Sequence, residues 1–330
     1  MDSLQHKTLQ TSRGFTYSYY VSNPANPKHT ILFQHGFPDH AHLWDGIASR
    51  LTEYRLVVPD LLGYGGTSKP TDLAAYKASG HVQDMVDILN EERIDKVISV
   101  GHDFGSLVAQ RLYNFHPERV EGLVLLNVGY LLPSDAPPNL KAINDHMEKV
   151  LGYPILGYQE FFITDEAPAI LKAHLDRFYQ AIHGTPVGWT KELWCARGKM
   201  RDWLVDEKRE VDVLSYAQDP KLRQAFIDRF QRDGFEAPLC YYKANNSNVQ
   251  YEDGKTVPQS NLAVKVPTLF VGCTQDPVCR PEMMAPAKEK GMLPDLEEAT
   301  IDSRHWCPME KPDEVAALIK SFLEKKFAAK

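Results

Sequence analysis

Hydrophobic and polar positions form two kinds of pattern along this chain. Short apolar runs rich in β-branched residues alternate with longer segments whose apolar residues have helical spacing, as in residues 81–92. The apolar runs are HTILFQ, RLVVPDL, KVISVG, VEGLVLLNV and VKVPTLFVGC. Strands that alternate with helices of this length predict βαβ units and a mostly parallel sheet covered by helices on both faces.

The two ends of the chain add detail to this α/β pattern. Residues 13–33 predict two strands of a hairpin, joined by the polar loop Asn23–His29, and a helix is predicted to follow the second strand as far as about Tyr54. Near the C-terminus, DEVAALIKSFLEK is amphipathic and predicts the last helix. The segment ATIDSRHWC before it is predicted to be a loop.

The strand rhythm stops in the middle of the chain. From about Tyr130 to Ala244 no strand-like run occurs, and the segment opens with the proline-rich LLPSDAPP and continues with aromatic-rich helical patterns. We therefore predict an α/β core formed by residues 1–130 and 245–330, interrupted by a helical cap domain at residues 131–244.

The composition of the chain limits which partners and which cellular compartment are expected. The net charge of −7 and the absence of a basic run argue against a nucleic-acid partner. The N-terminal segment is too polar for a signal peptide, and no run of 18 apolar residues predicts membrane insertion. The chain has 5 cysteines without CxxC spacing, which favours reduced thiols and a cytoplasmic protein.

Titratable residues follow two of the predicted strands, and a third lies in the loop before the last helix. Asp103 follows KVISVG, Asp276 follows TLFVGC, and His305 lies in the loop ATIDSRHWC. Chemistry collects at the carboxyl ends of parallel strands, because loops and helix N-termini meet there. The order of nucleophile, acid and histidine is that of the α/β-hydrolase catalytic triad, and GHDFG has the spacing of its nucleophile elbow.

Each of these residues also has a structural interpretation. Asp103 is compatible with a helix N-cap, Asp276 before Pro277 with a turn, and His305 with an ordinary half-buried loop histidine. Their occurrence together, in that order and at strand ends, favours an active site.

With these motifs in view, the chain resembles the epoxide hydrolases of the α/β-hydrolase superfamily. The resemblance covers nearly the whole chain and rests on HGFP, GYGGTS, GHDFGS, the positions of Asp276 and His305, and the cap. It implies an α/β-hydrolase fold with an inserted helical cap, and an enzyme of the soluble type that opens epoxides with an aspartate nucleophile, a reaction often used in detoxification.

The resemblance also implies two tyrosines in the cap. LGYQEFF is similar to the first cap motif of the family and gives Tyr158, and APLCYYKAN is similar to the second and gives Tyr242. Opening an epoxide leaves an alkoxide, a strong base, and a phenol with a pKa near 10 can donate a proton to it at neutral pH.

The expected reaction converts a small to medium lipophilic epoxide and water to a vicinal diol. Asp103 attacks an epoxide carbon and forms a hydroxyalkyl ester, which water hydrolyses after activation by His305, itself oriented by Asp276. The backbone N–H groups of Phe37 and Phe104 are expected to form the oxyanion hole. No cofactor and no metal is expected.

Three alternatives are compatible with parts of the sequence. A dehalogenase can use the same nucleophile, but it holds the leaving halide with side-chain N–H donors, and the positions of Phe37 and Phe104 offer none. A non-catalytic ligand receptor on the same fold is the second alternative; the complete triad and both tyrosines argue against it. His35, His40 and His42 invite a metal site, but His35 belongs to the HGFP motif, and the other two are expected on an exposed turn.

Overall fold

One eight-stranded sheet organises the α/β part of the chain. A computed structural model describes residue 1 and the ranges 3–206 and 208–327. The strands are β1 (Gln5–Gln10), β2 (Thr16–Val21), β3 (Thr30–Gln34), β4 (Arg55–Pro59), β5 (Val97–His102), β6 (Val120–Leu126), β7 (Thr268–Cys273) and β8 (Leu296–Ile301). Their order in the sheet is β1-β2-β4-β3-β5-β6-β7-β8.

Six of these strands run parallel. β4, β3, β5, β6, β7 and β8 pair in parallel, whereas β1 pairs with β2 and β2 with β4 in antiparallel fashion. β5 and β7 are buried along their whole length, as expected where helices cover both faces. The predicted mostly parallel sheet is confirmed.

The predicted hairpin between residues 13 and 33 is wrong. β2 pairs with β1 through a turn at residues 11–15, and β4 lies between β2 and β3. The polar strand β1 has no run of apolar residues, because this strand lies at the edge of the sheet and most of its side chains face solvent. The loop Asn23–His29 therefore leads from the antiparallel margin of the sheet into its parallel part.

Fourteen α-helical segments are described, and the longest lie where the sequence pattern is strongly periodic. They are α1 (Asp45–Ala48), α2 (Ala78–Glu91), α3 (Phe104–Phe115), α4 (Leu140–Leu151), α5 (Gly157–Phe162), α6 (Ala167–Ala173), α7 (Leu175–His183), α8 (Lys199–Val205), α9 (Pro220–Asp233), α10 (Cys240–Asn245), α11 (Asn248–Gly254), α12 (Ala285–Glu289), α13 (Cys307–Glu310) and α14 (Pro312–Phe327). The helix predicted to reach Tyr54 is much shorter, a 3-10 turn at Ala41–Trp44 followed by α1.

The chain divides into two compact units. Unit 1 consists of Met1–Pro70, Ala75–Ser134 and the chain from Glu252 onward, and it holds the sheet. Unit 2 consists of Thr71–Ala74 and Asp135–Tyr251. The described residues of unit 2 form helices and turns, with a single isolated β-bridge between Gly184 and Val213.

Aromatic side chains form the interior of unit 2. Phe162 of α5 contacts the rings of Phe178, Trp194 and Tyr242 edge to face, at centroid separations of 5.2 to 6.2 Å. Such edge-to-face pairs are the favoured geometry of buried rings and add to the free energy gained from apolar burial. The aromatic-rich composition of this segment is thus explained first by packing.

Two further features concern the cysteines and the helices. All five cysteines are free thiols, as the sequence predicts. Among the helices of the described ranges, none has the length and apolar character that crossing a bilayer requires.

Candidate active site

Asp103 occupies a strained turn between β5 and α3. Its backbone has φ 54° and ψ −125°, a conformation that residues with a Cβ rarely adopt. Glycines on both sides make the turn possible: a Cβ on Gly101 would lie 2.2 Å from the carbonyl oxygen of Gly105, and one on Gly105 would lie 2.0 Å from that of Gln34. The elbow thus projects the Asp103 carboxylate from the carboxyl end of the sheet, at a cost in backbone strain.

The Asp103 carboxylate is held by backbone N–H groups. The N–H of Phe37 donates to Oδ1 over 2.9 Å, and the N–H of Phe104 also donates to the carboxyl group. A Cβ on Gly36 would lie 2.3 Å from Oδ1, so only glycine leaves room for this contact. Burial alone would raise the pKa of Asp103, but hydrogen bonds and the charge of His305 outweigh it and hold the pKa below its usual value.

His305 lies between two carboxylates. Its Nδ1 donates to Oδ2 of Asp276 over 2.6 Å, and its Nε2 lies 3.5 Å from Oδ2 of Asp103. Burial would lower the pKa of His305, but the attraction of Asp276 and Asp103 outweighs it and raises the pKa well above its usual value. The two carboxylates therefore favour the protonated form of His305 in the free protein.

Asp276 is anchored by a residue that the sequence analysis missed. Oδ2 of Asp276 accepts a hydrogen bond from Nδ2 of Asn127 over 3.0 Å, and Oδ1 accepts from the backbone N–H groups of Val278 and Cys279. Asn127 directly follows β6 and has a positive φ of 66°. A polar residue at the end of a buried apolar strand, as in LLN, was the available indication of its position.

His102 supports the position of His305. It is fully buried at the end of β5, and its Nε2 donates to the backbone carbonyl of His305 over 2.8 Å. A carbonyl only accepts, so Nε2 carries the proton. Burial, followed by the charge of His305, lowers the pKa of His102 to about 4 and keeps it neutral. The residue before Asp103 thus anchors the loop that carries His305.

The two predicted cap tyrosines lie together in unit 2. Tyr158 is on α5 and Tyr242 on α10, with ring centroids 5.6 Å apart and ring planes at 88°. Both side chains are buried, with exposed fractions of 7% and 2%. Other tyrosines of this unit have different partners: the hydroxyl of Tyr179 donates to the Ala217 carbonyl, and that of Tyr216 pairs with His183.

His35, one of the three histidines of the possible metal site, has other partners. Nδ1 of His35 lies 2.9 Å from the carbonyl of Gly36, and its Nε2 accepts from the N–H of Leu61, so both ring nitrogens serve the HGFP turn. Over the described ranges, the set of potential ligands that clusters within 4.8 Å is Asp276, Cys279 and His305. The hydrogen bond between His305 and Asp276 accounts for that proximity without an ion.

Comparison with known proteins gives this geometry a context. A family model described as alpha/beta hydrolase fold matches residues 29–312. Epoxide hydrolase 2 of Siraitia grosvenorii is 28% identical, covering 98% of this chain and all of that protein, and epoxide hydrolase A of Mycobacterium tuberculosis is 28% identical over 89% of each. Bifunctional epoxide hydrolase 2 of Rattus norvegicus is 26% identical, and this chain spans only about half of it, 53%.

Solved structures agree with these relatives. Epoxide hydrolase A of Mycobacterium thermoresistibile superposes with a TM-score of 0.80 at 22% identity, covering 97% of this chain and 98% of that one. A laboratory-evolved variant of potato epoxide hydrolase superposes with a TM-score of 0.77 at 26% identity, covering 98% and 99%. The likeness extends over both units of the chain.

Proposed function

Because the chain belongs to the alpha/beta hydrolase fold family, we propose that it is an epoxide hydrolase that converts lipophilic epoxides and water to vicinal diols. The observation that supports this most directly is a carboxylate, Asp103, at the nucleophile elbow, facing a histidine that a second carboxylate orients. A serine at the elbow would open an epoxide to a stable ether, whereas a carboxylate forms an ester that water can hydrolyse. The names of the relatives are consistent with this chemistry.

In the first step Asp103 is the nucleophile. Phe37 holds Oδ1, so Oδ2 attacks an epoxide carbon, the ring C–O bond breaks, and a hydroxyalkyl ester forms. We propose that Tyr158 and Tyr242 donate to the ring oxygen, and that one of them transfers its proton to the developing alkoxide. Solvent later returns a proton to that tyrosinate.

In the second step His305 is the base. Esterification removes the charge of Asp103, one of the two carboxylates that raise the pKa of His305, so the imidazolium can lose a proton to solvent and become a base. The neutral ring then takes a proton from water, and the hydroxide attacks the carboxyl carbon. The oxyanion develops at Oδ1, where the N–H groups of Phe37 and Phe104 receive it. As the tetrahedral intermediate collapses, the C–O bond to the diol oxygen breaks and that oxygen takes the proton that His305 removed from water. The carboxylic acid left at Asp103 then gives its own proton to His305, which restores the carboxylate.

The proposed reaction also assigns a role to unit 2. We propose that it is the cap, that it presents Tyr158 and Tyr242 to the substrate, and that its aromatic interior selects lipophilic groups. The free thiols favour a reducing compartment, and we propose the cytoplasm, which cell fractionation tests. A dehalogenase is less well supported, since neither Phe37 nor Phe104 has a side-chain donor for a halide.

The test combines product analysis with capture of the ester. Diol formation is measured on styrene-type, aliphatic and fatty epoxides, and halide release is measured on haloalkanes in parallel. In His305→Gln, ester formation needs no base but ester hydrolysis does, so intact mass spectrometry should show an adduct heavier by the substrate mass. Peptide mapping should place it on Asp103. Halide release without diol formation from any epoxide would overturn the proposed reaction.

A further inference from the structure

Three hydrogen bonds join the two cap tyrosines through amide side chains. Nε2 of Gln159 donates to the hydroxyl oxygen of Tyr158 over 3.2 Å. Oε1 of Gln159 accepts from Nδ2 of Asn246 over 2.9 Å. The same Nδ2 donates to the backbone carbonyl of Tyr242 over 3.0 Å. A continuous path therefore runs from the main chain of one tyrosine to the phenol of the other.

The direction of each bond in this path is fixed by its starting point. The carbonyl of Tyr242 can only accept, so the atom of Asn246 that faces it must be the amide nitrogen. That nitrogen also faces Gln159, so the Gln159 atom beside it must be the amide oxygen. The Gln159 nitrogen is then left to face Tyr158. One backbone carbonyl thus determines the orientation of two side-chain amides, whose ends are otherwise interchangeable.

We propose that Gln159 and Asn246 are positioning residues that aim and activate the hydroxyl of Tyr158. The inference rests on the proposed function and assigns a role to two residues outside the triad and the tyrosine pair. The phenol oxygen accepts from Gln159, so its hydrogen is directed to another acceptor, which during reaction is the epoxide oxygen. A hydrogen bond donated to the phenol oxygen also stabilises the negative charge that grows there as the proton leaves.

The helix of Tyr158 is held independently of this path. Oδ1 of Asn144 accepts from the N–H of Leu156 just before α5 over 3.0 Å. Gly157 packs so closely that a Cβ there would lie 2.0 Å from the carbonyl oxygen of Cys195. Changes at Gln159 should therefore alter the hydrogen bonding of the Tyr158 hydroxyl and leave the backbone of α5 in place.

Gln159→Glu is the sharpest kinetic test. Glutamate has the shape of glutamine and keeps an acceptor for Asn246, but its carboxylate cannot donate to Tyr158. Single-turnover alkylation should slow about 3- to 10-fold, the effect that one neutral hydrogen bond supports, while hydrolysis of the preformed ester stays unchanged. In a Tyr158→Phe background the same change should have no further effect, because the group it acts through is gone. Gln224→Glu, at an exposed position of α9, controls for the added charge.

Asn246→Asp tests the path without altering Gln159. An aspartate at this position offers only acceptors, so the Gln159 amide should turn its nitrogen toward Asp and its oxygen toward Tyr158. The phenol would then donate to Gln159, and alkylation should again slow while ester hydrolysis does not. Equal slowing of both half-reactions would indicate general damage to the cap and overturn the positioning role.

A spectroscopic readout separates this inference from the proposed reaction. In protein labelled with ¹³Cζ-tyrosine, the Tyr158 resonance is identified by its loss in Tyr158→Phe, and it should shift in Gln159→Glu and Asn246→Asp but not in Gln224→Glu. An unchanged resonance would mean that the hydrogen bond is absent, whatever the activity. A shifted resonance with unchanged alkylation would overturn the role in catalysis. If no epoxide formed an ester with the wild-type protein, the proposed function would fail. The Tyr158 resonance would still show whether the hydrogen bond from Gln159 is present.

Discussion

Replacing Asp276 with asparagine tests whether the protein needs both carboxylate oxygens as hydrogen-bond acceptors. Both of its oxygens accept two hydrogen bonds: Oδ1 from the N–H groups of Val278 and Cys279 over 2.9 and 3.0 Å, and Oδ2 from Asn127 and His305 over 3.0 and 2.6 Å. All four donors are N–H groups. An amide has only one oxygen, so no orientation of asparagine can accept all four.

The magnitude follows from which donors lose their acceptor. If the amide nitrogen faces the backbone, two buried N–H groups are unpaired, at about 1–3 kcal/mol each, which destabilises the fold by about 2–6 kcal/mol. If the nitrogen faces His305, the imidazole can change tautomer and accept, leaving only Asn127 unpaired at about 1–3 kcal/mol. The proton of His305 then lies on Nε2, so this nitrogen cannot take a proton from water. Each arrangement therefore costs either stability or turnover.

Urea unfolding and ester hydrolysis measured on the same variant decide between these arrangements. Asp276→Asn should lose at least about 1 kcal/mol of unfolding free energy, and ester hydrolysis should fall by up to about 10⁴-fold, as it does where an orienting carboxylate is lost from a triad. Asp302→Asn is the matched control: this exposed carboxylate accepts from Thr274 and Gln275 in the same loop region, and solvent can replace it. A variant as stable and as active as the wild type would refute the reasoning.

Four further substitutions test the remaining parts of the site. Asp103→Asn should reduce diol formation at least about 10³-fold with little effect on unfolding, since the covalent nucleophile is lost; turnover above a tenth of the wild-type rate would contradict the ester mechanism. Tyr158→Phe and Tyr242→Phe should each slow alkylation roughly 10- to 1,000-fold in stopped-flow assays, whereas Tyr179→Phe, whose hydroxyl serves the Ala217 carbonyl, should not. Gly36→Ala should displace the Asp103 carboxylate and lower kcat about 10²-fold, and unchanged kinetics would argue against the close approach.

Local sequence patterns were sufficient for the parts of the fold that are buried on both faces. β5 and β7 are continuous apolar runs, and the turn at Asp103 is indicated by five consecutive residues, GHDFG, with a glycine two positions before and two positions after the aspartate. The order of Asp103, Asp276 and His305 along the chain, each near the end of a predicted strand or before the last helix, indicated that they belong to one site. The structure brings these three together, although their catalytic roles stay predictions.

Edge strands were missed for a physical reason. β1 and β8 lie at the two margins of the sheet, and much of each strand is exposed or half-buried, so neither shows the apolar run by which inner strands are recognised. The segment LEEATI was consequently placed partly in the loop before His305. With β8 in place, His305 too follows a strand end, as Asp103 and Asp276 do.

Side-chain partners far apart in the chain were also beyond the sequence pattern. Asn127 and Asp276 are separated by 149 positions, and Gln159 and Asn246 by 87. A local sequence pattern cannot predict such a pairing. Asparagine and glutamine are common in helices and loops, and the tertiary structure determines which residue each of them contacts. Only the contact itself distinguishes these amides from solvent-exposed ones.

The charges of the site explain how one histidine would serve both steps of the proposed reaction. In the free protein His305 lies between two carboxylates that raise its pKa, and in turn it lowers the pKa of Asp103. In the proposed mechanism the protonated histidine keeps Asp103 ionised, and it cannot act as a base before the ester has formed. Alkylation neutralises Asp103 and leaves Asp276 as the only carboxylate in contact with the ring among these three groups. The affinity of His305 for its proton then falls, so the ester itself generates the base that removes it.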